Sequence, residues 1–142
     1  MGSFVSTFKL VEDFLRTVGG YAQIHRAPPS NLATALPLHV VSRFGGTDRI
    51  VTVYDARIDV DTFASSEDAA ERIGEQVRTL IRVHLSGRLF EGATVVRART
   101  VSAPALIPWD VGDGSNGTQL PADVFRVSAA YELRIHQYTG VS

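Results

Sequence analysis

The chain has 142 residues, with 14 basic and 15 acidic side chains, a formal charge of −1 and no cysteine. This length fits a single domain covering residues 1–142, and the lack of cysteine excludes disulfides and thiolate metal sites. A near-neutral charge argues against a protein that mainly neutralises DNA phosphates, because that task needs an excess of Lys and Arg. No apolar run reaches the roughly 20 residues of a membrane-spanning helix.

The first predicted element is an amphipathic helix from about Thr7 to Val18. Its apolar residues recur at helical spacing, its acidic residues fall on the other side, and Gly19-Gly20 marks its end. The next stretch, from Tyr21 to Ala35, contains Pro28-Pro29 and is therefore predicted to be an irregular connector.

Two strands are predicted after the connector. The stretch from Leu38 to Phe44 is rich in β-formers and is closed by the turn-forming cluster Gly45-Gly46-Thr47-Asp48. The stretch from Arg49 to Phe63 alternates apolar with charged residues in its second half. This alternation predicts one buried face and one charged face.

The strongest helix signal lies between Ser65 and Leu85, with Ser65 as the predicted N-cap and acidic residues in the first turn. Two more strands are predicted at Ala93–Val101 and Val124–Tyr138, the second with strict alternation. The polar, Gly-rich loop between them, at about residues 108–123, is longer than most connections in compact domains, and such loops are often functional.

The predicted order of elements is α, β, β, α, β, β. Neighbouring strands joined as hairpins, together with two helices, predict an α+β fold. We expect a mostly antiparallel sheet of four to five strands, with two helices packed on one face. No internal repeat or domain linker is visible in the sequence.

Two carboxylates on one strand are the first candidates for chemistry. Asp59 and Asp61 are two residues apart, so they face the same side at a separation of roughly 7 Å. Together with a histidine such as His39 they suggest one alternative function, a small metal-dependent enzyme. Arg57 lies in the same row and would neutralise the pair. The preferred interpretation is therefore a solvated or intersubunit row of charges.

Other signatures of catalysis are incomplete. No pair of histidines has the spacing of a metal site, and the sequence contains no nucleophile elbow and no phosphate loop. The segment from Asp110 to Asn116 lacks the alternating acidic ligands and the flanking helices of a calcium loop. We therefore predict no catalytic residue, cofactor or metal, and a protein that is not an enzyme. Trp109, beside this loop, is either packed locally or an interface anchor.

Four segments of the chain share a pattern with a known family. They are the opening helix Val11–Arg16, the Leu-Pro, β-rich, Gly-Gly stretch Leu36–Gly46, the strand Ala56–Ala64 with the Ala-rich helix after it, and the closing Ala129–Leu133. In this order they cover most of the chain and resemble the tail terminator proteins of long-tailed bacteriophages. The long polar loop is not part of the pattern.

The resemblance implies a structural virion protein at the head–tail junction, made in the cytoplasm of the host bacterium. Such a protein forms a ring, commonly a hexamer, which caps the tail tube and ends its elongation. The implied partners are further copies of the chain, the major tail tube protein and a head-completion or stopper protein. DNA passes through the lumen without sequence-specific binding, and no membrane is involved. Another neck component, such as a stopper or tail-completion protein, is the alternative.

Charged strand faces and exposed arginines suit the contacts of a cyclic, heterologous assembly. The predicted interface residues are Arg43, Arg57, Asp59, Asp61, Arg97, Arg99, Trp109, Asp110, Asp113, Arg126 and Arg134.

Overall fold

The computed structural model describes residues 6–50, 52–107 and 123–138. Its α-helices are α1 (Thr7–Thr17) and α2 (Glu67–Leu80). Its strands are β1 (Ile24–His25), β2 (Leu38–Ile50), β3 (Val53–Ala64), β4 (Leu89–Phe90), β5 (Ala93–Ile107) and β6 (Phe125–Gln137). A 3₁₀ turn precedes β2, and a π-helical turn at Ile81–Leu85 continues α2. Neither helix of the described residues is long and apolar enough to cross a membrane.

The chain is α+β, but the predicted sheet of four to five mostly antiparallel strands is wrong. The sheet has six strands in the order β1-β2-β3-β6-β5-β4, and it is mixed because β1 runs parallel to β2. Two-residue strands such as β1 and β4 are too short to show a period of two, so the sequence did not reveal them. β1 is held by tertiary pairing, in which the His39 amide donates to the Gln23 carbonyl at 2.8 Å.

Both helices pack on the same face of the sheet and share its main core. Phe14 of α1 and Val77 of α2 belong to one buried cluster with Ile58 and Tyr131, which lie opposite each other on β3 and β6. Each fully buried large apolar side chain contributes roughly 1.5–3 kcal/mol. This helix-covered face therefore supplies most of the stability of the domain.

A smaller apolar cluster lies at one end of the opposite face. Leu38, Val40, Phe63 and Val124 are buried there, and partly buried residues near the 3₁₀ turn pack against them. The remainder of that face is not covered by a helix of the described residues. It carries the charged positions that the alternation in β3 and β6 predicts.

A β-bulge explains why β2 is longer than predicted. The cluster Gly45-Gly46-Thr47-Asp48 was expected to end the strand, but β2 continues through it to Ile50. The register with β3 shifts between Arg43 and Gly46, and both glycines have positive φ. The glycines therefore form an irregularity inside a strand.

A second bulge changes the faces of β5. Regular alternation along β5 would place Val95 and Ala98 on opposite faces, yet both are buried. The register with β6 shifts between Val95 and Arg97, which inserts one extra residue and reverses the alternation after it. β5 also continues to Ile107, beyond the predicted end at Val101.

The N-cap of α2 is Ser66, one residue after the predicted Ser65. The Ser66 hydroxyl accepts the Ala69 amide at 3.1 Å. We expect Ser66→Ala to lower the free energy of unfolding by about 1 kcal/mol, because one amide of the first turn loses its acceptor. The exposed Ser65 is the matched control, and Ser65→Ala is expected to cost less than about 0.5 kcal/mol. Urea denaturation of both variants measures the difference, and equal losses would contradict the assignment of the cap.

Candidate assembly interface

The face of the sheet opposite the helices, here called the outer face, carries charged side chains from three neighbouring strands. Strict alternation along β3 and β6 puts every second residue there, and the antiparallel register brings the rows side by side. The charged residues of the outer face are Asp55, Arg57, Asp59, Asp61, Arg97, Arg99, Arg126, Glu132 and Arg134.

Two cross-strand ion pairs lie within this face. The Arg99 Nε donates to a Glu132 carboxylate oxygen at 2.8 Å, and the Arg134 Nε donates to Asp55 at 3.0 Å. Asp55 is only 8% exposed, whereas Arg99 is half exposed. The first pair is therefore open to solvent, and the second is part of the buried structure.

The carboxylates of Asp59 and Asp61 are less well compensated. Asp61 accepts a hydrogen bond from the Ser128 hydroxyl at 2.6 Å. Burial raises the pKa of Asp59, repulsion from Asp61 raises it further, and the Arg57 guanidinium partly offsets both. A raised pKa means that the anionic form lacks full stabilisation within the chain. The two carboxylates therefore form a site that favours an added positive charge.

Five charges of the outer face have no ion pair within 4 Å among the residues that the structure describes. They are Arg57, Asp59, Asp61, Arg97 and Arg126. The charged residues of the outer face as a whole are unevenly distributed. β3 carries three carboxylates and one arginine, whereas β5 carries two arginines and no acidic residue. With β6 between them, the outer face is acidic towards β3 and basic towards β5.

Exposed apolar residues lie at both margins of the same sheet. On β2, Phe44 is 54% exposed and lines a cleft of about 250 Å³ with Arg57 and Glu132. At the other margin, Leu89 of β4 is 73% exposed and Val96, beside Arg97 in the bulge of β5, is 49% exposed. Exposed apolar surface that is rimmed by polar residues marks interaction sites, so these residues are candidates for a contact.

The structure brings most of the predicted interface residues together. Arg57, Asp59, Asp61, Arg97, Arg99, Arg126 and Arg134 share the outer face. Arg43 does not belong with them, because it lies opposite Ile58 and its guanidinium stacks over the Tyr54 ring at 5.5 Å. The predictions for Trp109, Asp110 and Asp113 lie outside the described residues.

The apolar members of the site were missed by sequence reasoning. Phe44 and Val96 read as ordinary strand residues, and apolar strand residues are usually buried. Both are adjacent to a bulge, which turns a strand residue away from its expected position. The Gly45-Gly46 pair inside a strand pattern was the one signal that could have indicated such a bulge.

The residues of the alternative metal-dependent enzyme do not converge. His39 is opposite Thr62, with its Nδ1 3.0 Å from the Thr62 hydroxyl, so it lies on the helix-covered face. Asp59 and Asp61 lie on the outer face, across the sheet. No group of three or more His, Asp or Glu side chains in the described ranges is placed to hold a metal ion.

A groove of about 530 Å³ lies where the end of α1 approaches α2. Val18, Tyr21 and Leu80 are among its lining residues, and the Tyr21 hydroxyl donates to Gln76 at 3.3 Å. Burial raises the pKa of Tyr21, which makes its phenol a poorer acid at neutral pH. The groove therefore offers contact area, and its tyrosine is not activated for proton transfer.

No protein-family model matches the chain, and no curated protein has a significant match to it.

Proposed function

We propose that the chain is a structural subunit of a ring that caps the tail tube of a long-tailed bacteriophage. In this role it ends tail elongation and joins the tail to the head-completion proteins. The observation that carries the proposal is the uneven outer face, on which an acidic region and a basic region lie at different strands of one sheet. The resemblance of the four segments to tail terminator proteins supports the same role.

The strand order supports cyclic assembly. β2 and β3 lie towards one end of the sheet, and β5 and β4 lie towards the other. A contact between different ends of two identical chains is heterologous, and successive heterologous contacts close into a ring when the rotation between copies permits it. In a closed ring, the lateral contact surfaces of every subunit are occupied by its neighbours. Such a ring has a fixed number of subunits, as a cap on the end of a tube requires.

The charge of the chain supports a pore for DNA. With a formal charge of −1, the chain lacks the excess of Lys and Arg that would neutralise phosphates and hold DNA tightly. We therefore place the protein at the head–tail junction of the virion, where DNA moves through the lumen.

The test combines the protein with the major tail tube protein of the same phage. Light scattering after size-exclusion chromatography is expected to give a particle several times heavier than the 15.4 kDa chain, alone or bound to tubes. Adding the protein during tube assembly is expected to shorten the tubes seen in negative stain. A protein that stays monomeric, does not bind tubes and leaves their length unchanged would overturn the proposal. Binding to a head-completion protein alone would instead indicate a different neck component.

A further inference from the structure

Each margin of the outer face combines an exposed apolar residue with an unpaired charge. We define the acidic margin as Phe44, Asp59 and Asp61. Phe44 lies two residues along β2 from Ser42, which is opposite Asp59. Asp59 therefore lies on the neighbouring strand two residues along from Phe44, and its pKa is raised by burial and by the neighbouring Asp61 carboxylate. Phe44 itself lines a cleft with Asp55, Arg57 and Glu132.

The other margin has the opposite charge. We define the basic margin as Leu89, Val96 and Arg97. Val96 and Arg97 are consecutive in the bulge of β5, and Leu89 is opposite Thr94 near the start of the same strand. Both apolar residues are about half exposed or more, and Arg97 has no ion pair within the described residues.

We propose that the acidic margin of one copy binds the basic margin of the next copy. This inference rests on the proposed ring and names the surfaces by which the ring closes. Charge complementarity selects this pairing, because two acidic margins or two basic margins would place like charges together. The exposed apolar residues would then be buried at the centre of the contact, where large side chains provide most of the binding energy.

The contact is made by side chains and not by a continuous ladder of strands. The free edge of β5 contains Pro104, which has no amide hydrogen, and its register is interrupted at several places. The edge of β2 is interrupted at Arg43–Gly46. Proline and bulges at sheet edges prevent edge-to-edge pairing. The side chains at the two margins of the outer face therefore form the contact between copies, and the strand edges do not.

Charge reversal tests the pairing. Asp59→Arg and Arg97→Glu each place like charges across the contact, and each variant alone is expected to assemble at least about tenfold more weakly than the wild type. An equal mixture is expected to assemble again. In the mixture, the unchanged margins bind each other, and the reversed margins are again opposite in charge. Assembly is measured by light scattering, or by co-sedimentation with tail tubes if the ring forms only there.

Matched controls place the same charge changes on the helical side. Glu71→Arg and Arg82→Glu alter exposed residues of α2 and of its π-helical turn. Both controls are expected to assemble like the wild type. Circular dichroism melting checks that every variant is folded, and Asp59→Asn and Arg97→Gln provide milder versions if a reversal is not tolerated. Phe44→Ser, which removes the apolar anchor without altering charge, is also expected to weaken assembly at least about tenfold.

The outcomes separate this inference from the proposed function. If the wild type forms rings and both charge-reversal variants form them equally well, the pairing is overturned and the proposed ring still stands. Weak assembly of each variant that mixing does not restore would also overturn the pairing. A wild-type protein that neither assembles nor binds tubes would overturn the proposed function, and the pairing with it.

Discussion

Acidification from pH 7 to pH 4 is expected to lower the free energy of unfolding by up to about 3 kcal/mol through His39 alone. His39 is 1% exposed and packs edge-on against the Tyr21 ring at 4.6 Å. Its Nδ1 shares a hydrogen bond with Thr62, whereas its buried Nε2 has no partner among the described residues. A charged imidazole at this position would be poorly solvated. Burial accordingly lowers the pKa of His39 from 6.5 to about 4.

The direction of the effect follows from proton binding. Between pH 6.5 and about 4 the unfolded chain binds a proton at this histidine and the folded chain does not. The stabilising contribution of neutral His39 is therefore complete above pH 6.5 and is lost progressively as the pH falls towards 4. Below that range both states are protonated, and this residue adds no further change.

Urea denaturation across this pH range measures the effect, with His39→Gln as the key variant. Glutamine can retain the hydrogen bond to Thr62 but takes up no proton. The free energy of unfolding of the His39→Gln variant is therefore expected to fall less steeply with acid than that of the wild type. The difference between the two proteins cancels the contribution of the carboxylates. His84→Gln removes an exposed imidazole and serves as the control. If the His39→Gln and His84→Gln variants both showed the same reduced dependence of the free energy of unfolding on pH, the effect could not be assigned to the buried His39.

Gly46→Ala is expected to lower the free energy of unfolding by roughly 3–5 kcal/mol. Gly46 has a φ of +142°, which residues with a side chain rarely adopt. A Cβ atom there would lie 1.9 Å from the Asp55 carbonyl oxygen on β3. Because that oxygen belongs to the backbone of a paired strand, the clash cannot be relieved by a side-chain rotation. The strands must separate locally or the bulge must change.

Gly45→Ala is the matched control. Gly45 also has a positive φ, +54°, but a Cβ atom there would meet nothing within 4 Å. Its substitution is expected to cost only about 1 kcal/mol, from the left-handed backbone conformation. Thermal and urea denaturation of both variants measure the difference. If both variants lost a similar free energy of unfolding, the positive-φ backbone conformation, and not the close approach to β3, would be the reason that glycine is needed at position 46.

The same bulge links stability to the proposed contact. Phe44 lies directly before the two glycines and lines the cleft on the outer face. A Gly46→Ala protein that remains folded at low temperature is therefore expected to assemble less well than Gly45→Ala.

Long periodic segments were predicted closely. α1 was predicted over residues 7–18 and spans Thr7–Thr17, and β6 was predicted over residues 124–138 and spans Phe125–Gln137. The predicted buried row of β6 is confirmed, with Val127 to Ile135 buried at every second residue. In these segments one face is buried along the whole element, so the period of the sequence and the period of the structure must agree.

The sequence failed where pairing across the chain decides the outcome. β1 exists because its backbone pairs with β2, and β4 because it pairs with β5, and neither carries a local signal. The bulges in β2 and β5 depend on the register of the partner strand, which the local sequence does not reveal. The predicted sheet therefore had too few strands, lacked the two bulges and did not include the parallel strand β1.

By itself, the sequence determined the α+β class, the two helices and the charged row of β3, because these depend on side chains that repeat within one element. Only the tertiary structure decided that β6 separates the acidic β3 from the basic β5. It also decided that His39 and the two aspartates lie on opposite sides of the sheet, and that Phe44 and Val96 are exposed. The reason is that strand order and register arise from contacts between distant parts of the chain, and these contacts place the charges of the proposed interface.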